Sequence, residues 1–390
     1  MQGDRKMKIT AVRAIPLNVP FKFDSAGIQK PTNLAICHVE IETDEGITGY
    51  GLSAITEEHP VASTINDILA SDLIGQDPLN TERLWDRMYW NVCPRGQTGY
   101  AMHAISALDI ALWDIKGKAL GLPVWKLLGG AREKVPAYAT FGFAFLGEEE
   151  LVKVARDCVD QGFKGLKMVV GHHGLQRRDE PRPLADLIRQ DMRRMSLVRE
   201  AIPADIPLYI DGNCSLDYVH AKAIARHARD LDVGFFEEPI TQNDTGRLRE
   251  LRQSTGITIA AGQNEGQSYR FRDLLMQQAV DILQPNVLIS GGFTQSRKIF
   301  ALAESFNASV ANGGAFPSHN GHLHCGLLNG GDVEWHLAAS AMMAEIYTGL
   351  PQPEQGWLGM PEAPGLGLTP RQDQIDKLRS NPGSLGSGKG

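Results

Sequence analysis

The sequence predicts an α/β protein: a (β/α)8 barrel of the modified TIM type, preceded by an N-terminal α+β capping domain. Three observations carry this. From residue 135 the chain alternates between short apolar runs and amphipathic helical stretches, over roughly 200 residues. Residues before that point lack the alternation and read as strands followed by helices. Three of the later apolar runs end in polar residues at equal spacing, with Asp211, Glu237 and Gln263 each 26 residues from the next.

The first segment, residues 1–130, is the expected cap. Residues 7–18 and 33–43 are strand-like, Thr43-Asp44-Glu45-Gly46 has turn chemistry, and Ile47–Leu52 returns as a strand. Helical stretches follow near 61–73, 80–90 and 99–120. In the last of these Ala104, Ile105, Leu108, Ala111, Leu112 and Ile115 recur at helical spacing until Gly121-Leu122-Pro123 stops it. Leu127-Leu128-Gly129-Gly130 reads as a joint. Residues 131–350 supply the barrel, with strand candidates near 136–141, 164–170, 207–211, 233–237, 257–261, 281–285, 308–312 and 333–336. No GxGxxG follows a strand, which weighs against a dinucleotide fold. Residues 351–390, rich in Pro and Gly, are expected to return to the cap and finish in a flexible end.

Composition narrows the function. The 390 residues are 42% hydrophobic and 22% charged, with a net charge of −7. An acidic balance argues against nucleic acid as the main partner. No apolar run approaches the ~18 residues of a membrane span. Nor does an apolar core follow Met1-Gln2-Gly3-Asp4-Arg5-Lys6, so no secretory signal is expected. Five scattered cysteines without a CxxC pair fit a reducing cytoplasm better than a disulfide frame or zinc ribbon.

Active sites of such barrels lie at the C-terminal ends of the strands. Asp211, Glu237 and Gln263 are expected there, and two carboxylates with one amide make a hard, all-oxygen site for a divalent metal. Each alone reads equally well as a helix cap. Lys164 and Lys167 lie three apart in an apolar strand, so they face opposite ways and one points inward. An inward lysine is a base or a clamp for a substrate carboxylate; an outward one is an ordinary surface lysine. Pro317–His324 carries three histidines just past the seventh strand. They lack further ligands at zinc spacing, which leaves His319 and His324 as acid–base candidates beside the reading that they are solvated or capping. His172-His173 are weaker candidates in a loop after the second strand.

Several segments resemble the enolase superfamily, most closely its mandelate racemase-like (muconate lactonizing enzyme-like) subgroup. They are Ala107–Lys118 followed by Leu127-Leu128-Gly129-Gly130, Phe236-Glu237-Glu238-Pro239, Gln284-Pro285-Asn286 with Gly291-Gly292-Phe293-Thr294, and Pro364–Leu368. The resemblance runs from about Met7 to Leu368. It implies one Mg2+ per subunit on a small carboxylate substrate, abstraction of the α-proton, and an enediolate from which members dehydrate, racemise or cycloisomerise. It assigns Asp211, Glu237 and Gln263 to the metal, Glu334 to the substrate, and substrate choice to cap loops near 20–30 and 90–98. By the same analogy the protein is a homo-oligomer, dimer or octamer.

The departures matter as much. The resemblance leads one to expect Lys-x-Lys on the second barrel strand, but Val169 stands at the second lysine. A sixth-strand Asp is replaced by Asn286, and a seventh-strand histidine by Asn312 or Gly313. Gln263 stands where a third carboxylate is usual. Amides do not abstract protons at neutral pH, yet Asn213, Asn264, Asn286 and Asn312 would suit a polyhydroxylated acid. The leading expectation is therefore a Mg2+-dependent acid-sugar dehydratase using Lys167, His319, His324 and Glu334. The alternatives are a racemase, epimerase or cycloisomerase, and a sugar-acid binding protein that has lost catalysis.

Overall fold

The computed structural model describes residues 6–171 and 182–380, so His172 and His173 lie outside the described residues. Three antiparallel strands open the chain: β1 (Ile9–Ser25), β2 (Ile28–Thr43) and β3 (Thr48–Leu52). Against them lies the helix Tyr100–Leu120, buried along most of its length and closed by Gly121 in the left-handed region. The close approach needs glycine: a Cβ on Gly49 or Gly51 would overlap the Ala111 or Ala107 carbonyl.

The barrel strands are β4 (Lys134–Phe141), β5 (Leu166–Val169), β6 (Leu208–Asp211), β7 (Val233–Glu237), β8 (Ile259–Ala261), β9 (Ile282–Leu283), β10 (Ser309–Val310) and β11 (Val333–His336). They pair in parallel in chain order, and β11 returns to pair with β4. All eight expected strands are present, several shorter than the apolar runs that announced them. Between β10 and β11 the ring is joined by Asn312, whose N–H donates to Asp332 O at 2.9 Å and whose Oδ1 accepts from Glu334 N at 3.1 Å. Tyr138, Tyr209 and Phe235 fill the interior, with the Tyr209 and Phe235 rings stacked 4.1 Å apart.

Cap and barrel share contacts. Asp109 accepts from Thr294 N at 3.0 Å, and Trp113 Nε1–H donates to Thr294 Oγ1 at 2.9 Å. The later chain returns to the cap: Leu366 N–H donates to Asp114, and Ser380 N–H to Pro16 O. Among the described residues no helix is long and apolar enough to cross a membrane.

Candidate active site

A cavity of about 540 Å³ opens where the barrel's C-terminal strand ends meet the cap. Asp211, Asn213, Gln263, Asn264, Glu334 and His336 line its barrel side. Register explains the convergence. Asp211 pairs with Val169 on one side and Glu237 on the other, so the last residues of three adjacent strands stand side by side.

Lys167 is the centre of charge. It points inward and is fully buried, whereas Lys164 is exposed. Its Nζ lies 2.6 Å from Glu237 Oε2, 3.2 Å from Glu334 Oε1 and 3.5 Å from Asp211 Oδ2. Burial alone would lower its pKa, but these carboxylates outweigh burial and hold it well above the ordinary lysine range. One ammonium does not balance three carboxylates. Burial, with crowding of like charge, raises Asp211 to about 6 and Glu237 well above the carboxylate range. Glu334 is pushed up by burial, yet the Lys167 ammonium and the hydrogen bond from Ala315 N bring it below its ordinary value.

The residues fit a divalent cation. Glu237 Oε1 and Gln263 Oε1 are both buried and have no hydrogen-bond partner. They face the hollow left by Gly313, where a Cβ would stand 3.0 Å from the first and 3.3 Å from the second. Unpartnered buried oxygens are costly, and a hard cation bound by them and by Asp211 would relieve that cost and the surplus negative charge. Among the described residues, no group of three or more His, Cys, Asp or Glu side chains is arranged to hold a metal by itself.

Asn213 and Asn264 stand exposed at the cavity. Asn213 has a left-handed backbone (φ 46°) and caps Asp211 Oδ1 through its N–H at 2.8 Å. Asn264 is held by Glu238, which accepts from its backbone and side-chain N–H groups and also from Asn243 and Gly262 N. Glu238 is thus a positioning carboxylate for the strand ends.

Lys167 and Glu237 are buried beside the lining residues Asp211 and Glu334 and are not part of the lining, and four further expected residues are not at the cavity. Asn286 is buried, its Nδ2 donating to Gly313 O and Gly314 O and its Oδ1 accepting from Leu288 N and Asn320 Nδ2. Its N–H groups serve the Gly313-Gly314 turn and its oxygen serves Leu288 and Asn320. Asn312 closes the barrel, as described above. His319 and His324 lie inside the helix Pro317–Gly326, which turns away after Phe316, and both are buried. His319 meets Ser318, while His324 Nδ1 sits against Gly331 and its ring against Phe300. His322, between them, links Trp125 N to Leu366 O. These histidines are core.

Burial lowers the His319 pKa to about 3. Unfolding at acid pH then takes up a proton that the folded state refuses, so this group removes stability as pH falls below about 6.5. His319→Leu is expected to be less acid-sensitive than the parent by about 2 kcal/mol between pH 7 and pH 5. Urea unfolding at the two pH values measures this.

The cap side of the cavity is Phe21, Thr32, Leu34, Ala54, Ile55, Thr56 and His103. The expected stretch 90–98 is absent from this lining; Gln97 O instead accepts from Gln267. The missed residues are therefore the 54–56 turn, His103 and His336.

The fold and site together define a capped barrel of the enolase type. Residues 6–129 match the profile of the mandelate racemase/muconate lactonizing enzyme N-terminal domain, and residues 150–374 that of the enolase C-terminal domain-like family. The chain belongs to the enolase superfamily, in its mandelate racemase-like subgroup. It is 31% identical over 355 residues to arabinonate dehydratase of Saccharolobus solfataricus, covering 89% of this chain and 91% of the relative. It is also 31% identical to 3,6-anhydro-alpha-L-galactonate cycloisomerase of Streptomyces coelicolor, over 87% and 90% of the two chains. A crystal structure of 3,6-anhydro-D-galactonate cycloisomerase from Zobellia galactanivorans superposes with a TM-score of 0.83 at 32% identity, covering 96% of this chain and all of the other. A racemase from Streptomyces coelicolor, solved with bound magnesium, has a TM-score of 0.84 at 28% identity over 95% and 100%. The relatives are lyases and isomerases, which supports an enzymatic role for this chain.

Proposed function

We propose that the chain is a Mg2+-dependent acid-sugar dehydratase. The observation that carries this is the pair of unpartnered oxygens on Glu237 and Gln263, the first on the strand end paired with Asp211, and Asp211 and Gln263 both line the cavity. These three residues would hold one Mg2+. When bound, it supplies a positive pole for the substrate carboxylate and for the charge that develops there as the α-proton leaves.

The rest falls to this chain's side chains. Lys167 is the fixed cation of the site and holds Glu237, Glu334 and Asp211 in register. Glu334 is ionised at neutral pH and anchored by Ala315 N at 2.8 Å; we assign it the α-proton. Asn213 and Asn264 receive substrate hydroxyls. The proton that Glu334 takes up leaves with the β-hydroxyl as water, and the enol that remains becomes the keto acid. Cycloisomerisation shares the first step, and the resemblance to two cycloisomerases keeps it as the second reading.

Incubation with a library of acid sugars in D2O and Mg2+, followed by proton NMR, separates these. Loss of the α-proton with a keto-acid product marks dehydration; exchange or an isomeric product marks the second reading. Glu334→Gln is expected to lower exchange about 10²- to 10⁴-fold. Measurable binding with no exchange by any library member would overturn both readings.

A further inference from the structure

His336 ends β11 two residues after Glu334, so the two side chains share one face of the strand. Glu334 is buried and His336 half-buried, and both line the cavity. A strand rises about 3.3 Å per residue, which sets His336 about 7 Å beyond Glu334 toward the mouth.

The ring is fixed twice. His336 is the N-cap of the helix Leu337–Ile346, and its Nδ1 accepts the backbone N–H of Ala339 at 3.2 Å. The Phe143 ring lies 5.0 Å away, and Phe143 packs on Phe145 and on Phe23 of the cap. Because Nδ1 holds its lone pair toward a donor, the proton of the neutral ring must sit on Nε2. Protonation of Nδ1 would break the cap, and burial opposes it as well. The side chain is therefore a neutral donor of set direction at the helix start, unsuited to shuttling protons.

We propose that His336 is a substrate-binding residue whose Nε2–H donates to an uncharged oxygen on the part of the acid remote from its carboxylate. The walls beside it favour the same class of group. Phe21, Leu34, Ile55 and Phe145 line the cavity, Phe145 stacks on the Phe143 ring beside His336, and the cavity's other imidazole, His103, is kept neutral by burial. A hydroxyl or ring oxygen is matched there, and a second carboxylate is not. This rests on the proposed function for the position of the substrate carboxylate, and the test separates the two.

His336→Asn is the informative variant, because asparagine still caps a helix but is too short to present a donor in the cavity. The probes are six-carbon aldonates and the same acids lacking one hydroxyl at carbon 4, 5 or 6. Binding is measured by calorimetry with Mg2+, alongside α-proton exchange. The parent is expected to prefer one hydroxylated acid over its deoxy counterpart about 10- to 100-fold, and the variant to lose that preference with its melting temperature unchanged. The expected ¹⁵N spectrum of the His336 ring is that of the Nε2-protonated tautomer, with the Nε2 signal shifting on ligand binding. Equal preference in the variant, an Nδ1-protonated ring, or a loss of binding that only tracks a loss of stability would overturn the proposal. Binding that behaves as expected without exchange would sustain it and overturn the dehydratase reading. No binding of any probe would overturn both.

Discussion

Lys167→Met is expected to remove activity and to destabilise the fold. The ammonium is enclosed by Glu237, Glu334 and Asp211 at 2.6, 3.2 and 3.5 Å, all of them buried. Methionine fills a similar volume but leaves three carboxylates with no cation. Breaking a buried ion pair from one side costs about 3–5 kcal/mol, and losing a fixed charge from a reacting centre costs about 10²- to 10³-fold in rate. Thermal unfolding and α-proton exchange measure the two effects. Lys164→Met, three residues away on the exposed face, should change neither. Mg2+ should also raise the melting temperature of Lys167→Met more than that of the parent, because the cation then becomes the sole balance for those carboxylates. Full activity in Lys167→Met would remove this residue from the proposed mechanism.

The second large effect is expected at Gln263→Glu. Lys167 against three carboxylates leaves two negative charges, which one divalent ion cancels. A fourth carboxylate makes the loaded site negative before substrate arrives. Mg2+ should then bind about 10- to 100-fold more tightly in the absence of substrate, since ligand charge sets such affinities. The anionic substrate should bind more weakly, and the ion should be a poorer Lewis acid toward it. Calorimetric titration with Mg2+ alone decides this. Equal affinity in parent and variant would mean that residue 263 does not contact the metal.

How much of this was legible beforehand can be judged residue by residue. The alternation after residue 135 was enough to place eight strands, because a strand buried on both faces must be apolar and the helices between must be amphipathic. The 26-residue rhythm put Asp211, Glu237 and Gln263 at one end of the barrel, because strand ends in a parallel ring converge whatever the loops do. Alternation told that one of Lys164 and Lys167 points inward, and burial shows it to be Lys167. Its three partners were only partly legible, since Glu334 arrives from a strand that meets β4 across the closure of the ring.

The amides show the opposite case. Asn213, Asn264, Asn286 and Asn312 look equivalent as residue types. Asn286 is used up by carbonyls 27 and 28 positions later in the chain, and Asn312 joins β10 to β11. His319 and His324 followed the seventh strand, yet the helix they occupy turns into the core. His336 could have been noticed, since it alternates with Glu334, but its tautomer depends on a cap formed by the next helix.

The sequence by itself therefore determined the barrel, its cap, and the place of Asp211, Glu237 and Gln263 at the strand ends, because these depend on periodicity and on residue type at a set phase. Only the tertiary structure decided which polar groups remain free to act. A hydrogen bond saturates its donor and acceptor, and the partners that saturate Asn286, Asn312 and His322 are brought together by the closure of the barrel and the return of the chain.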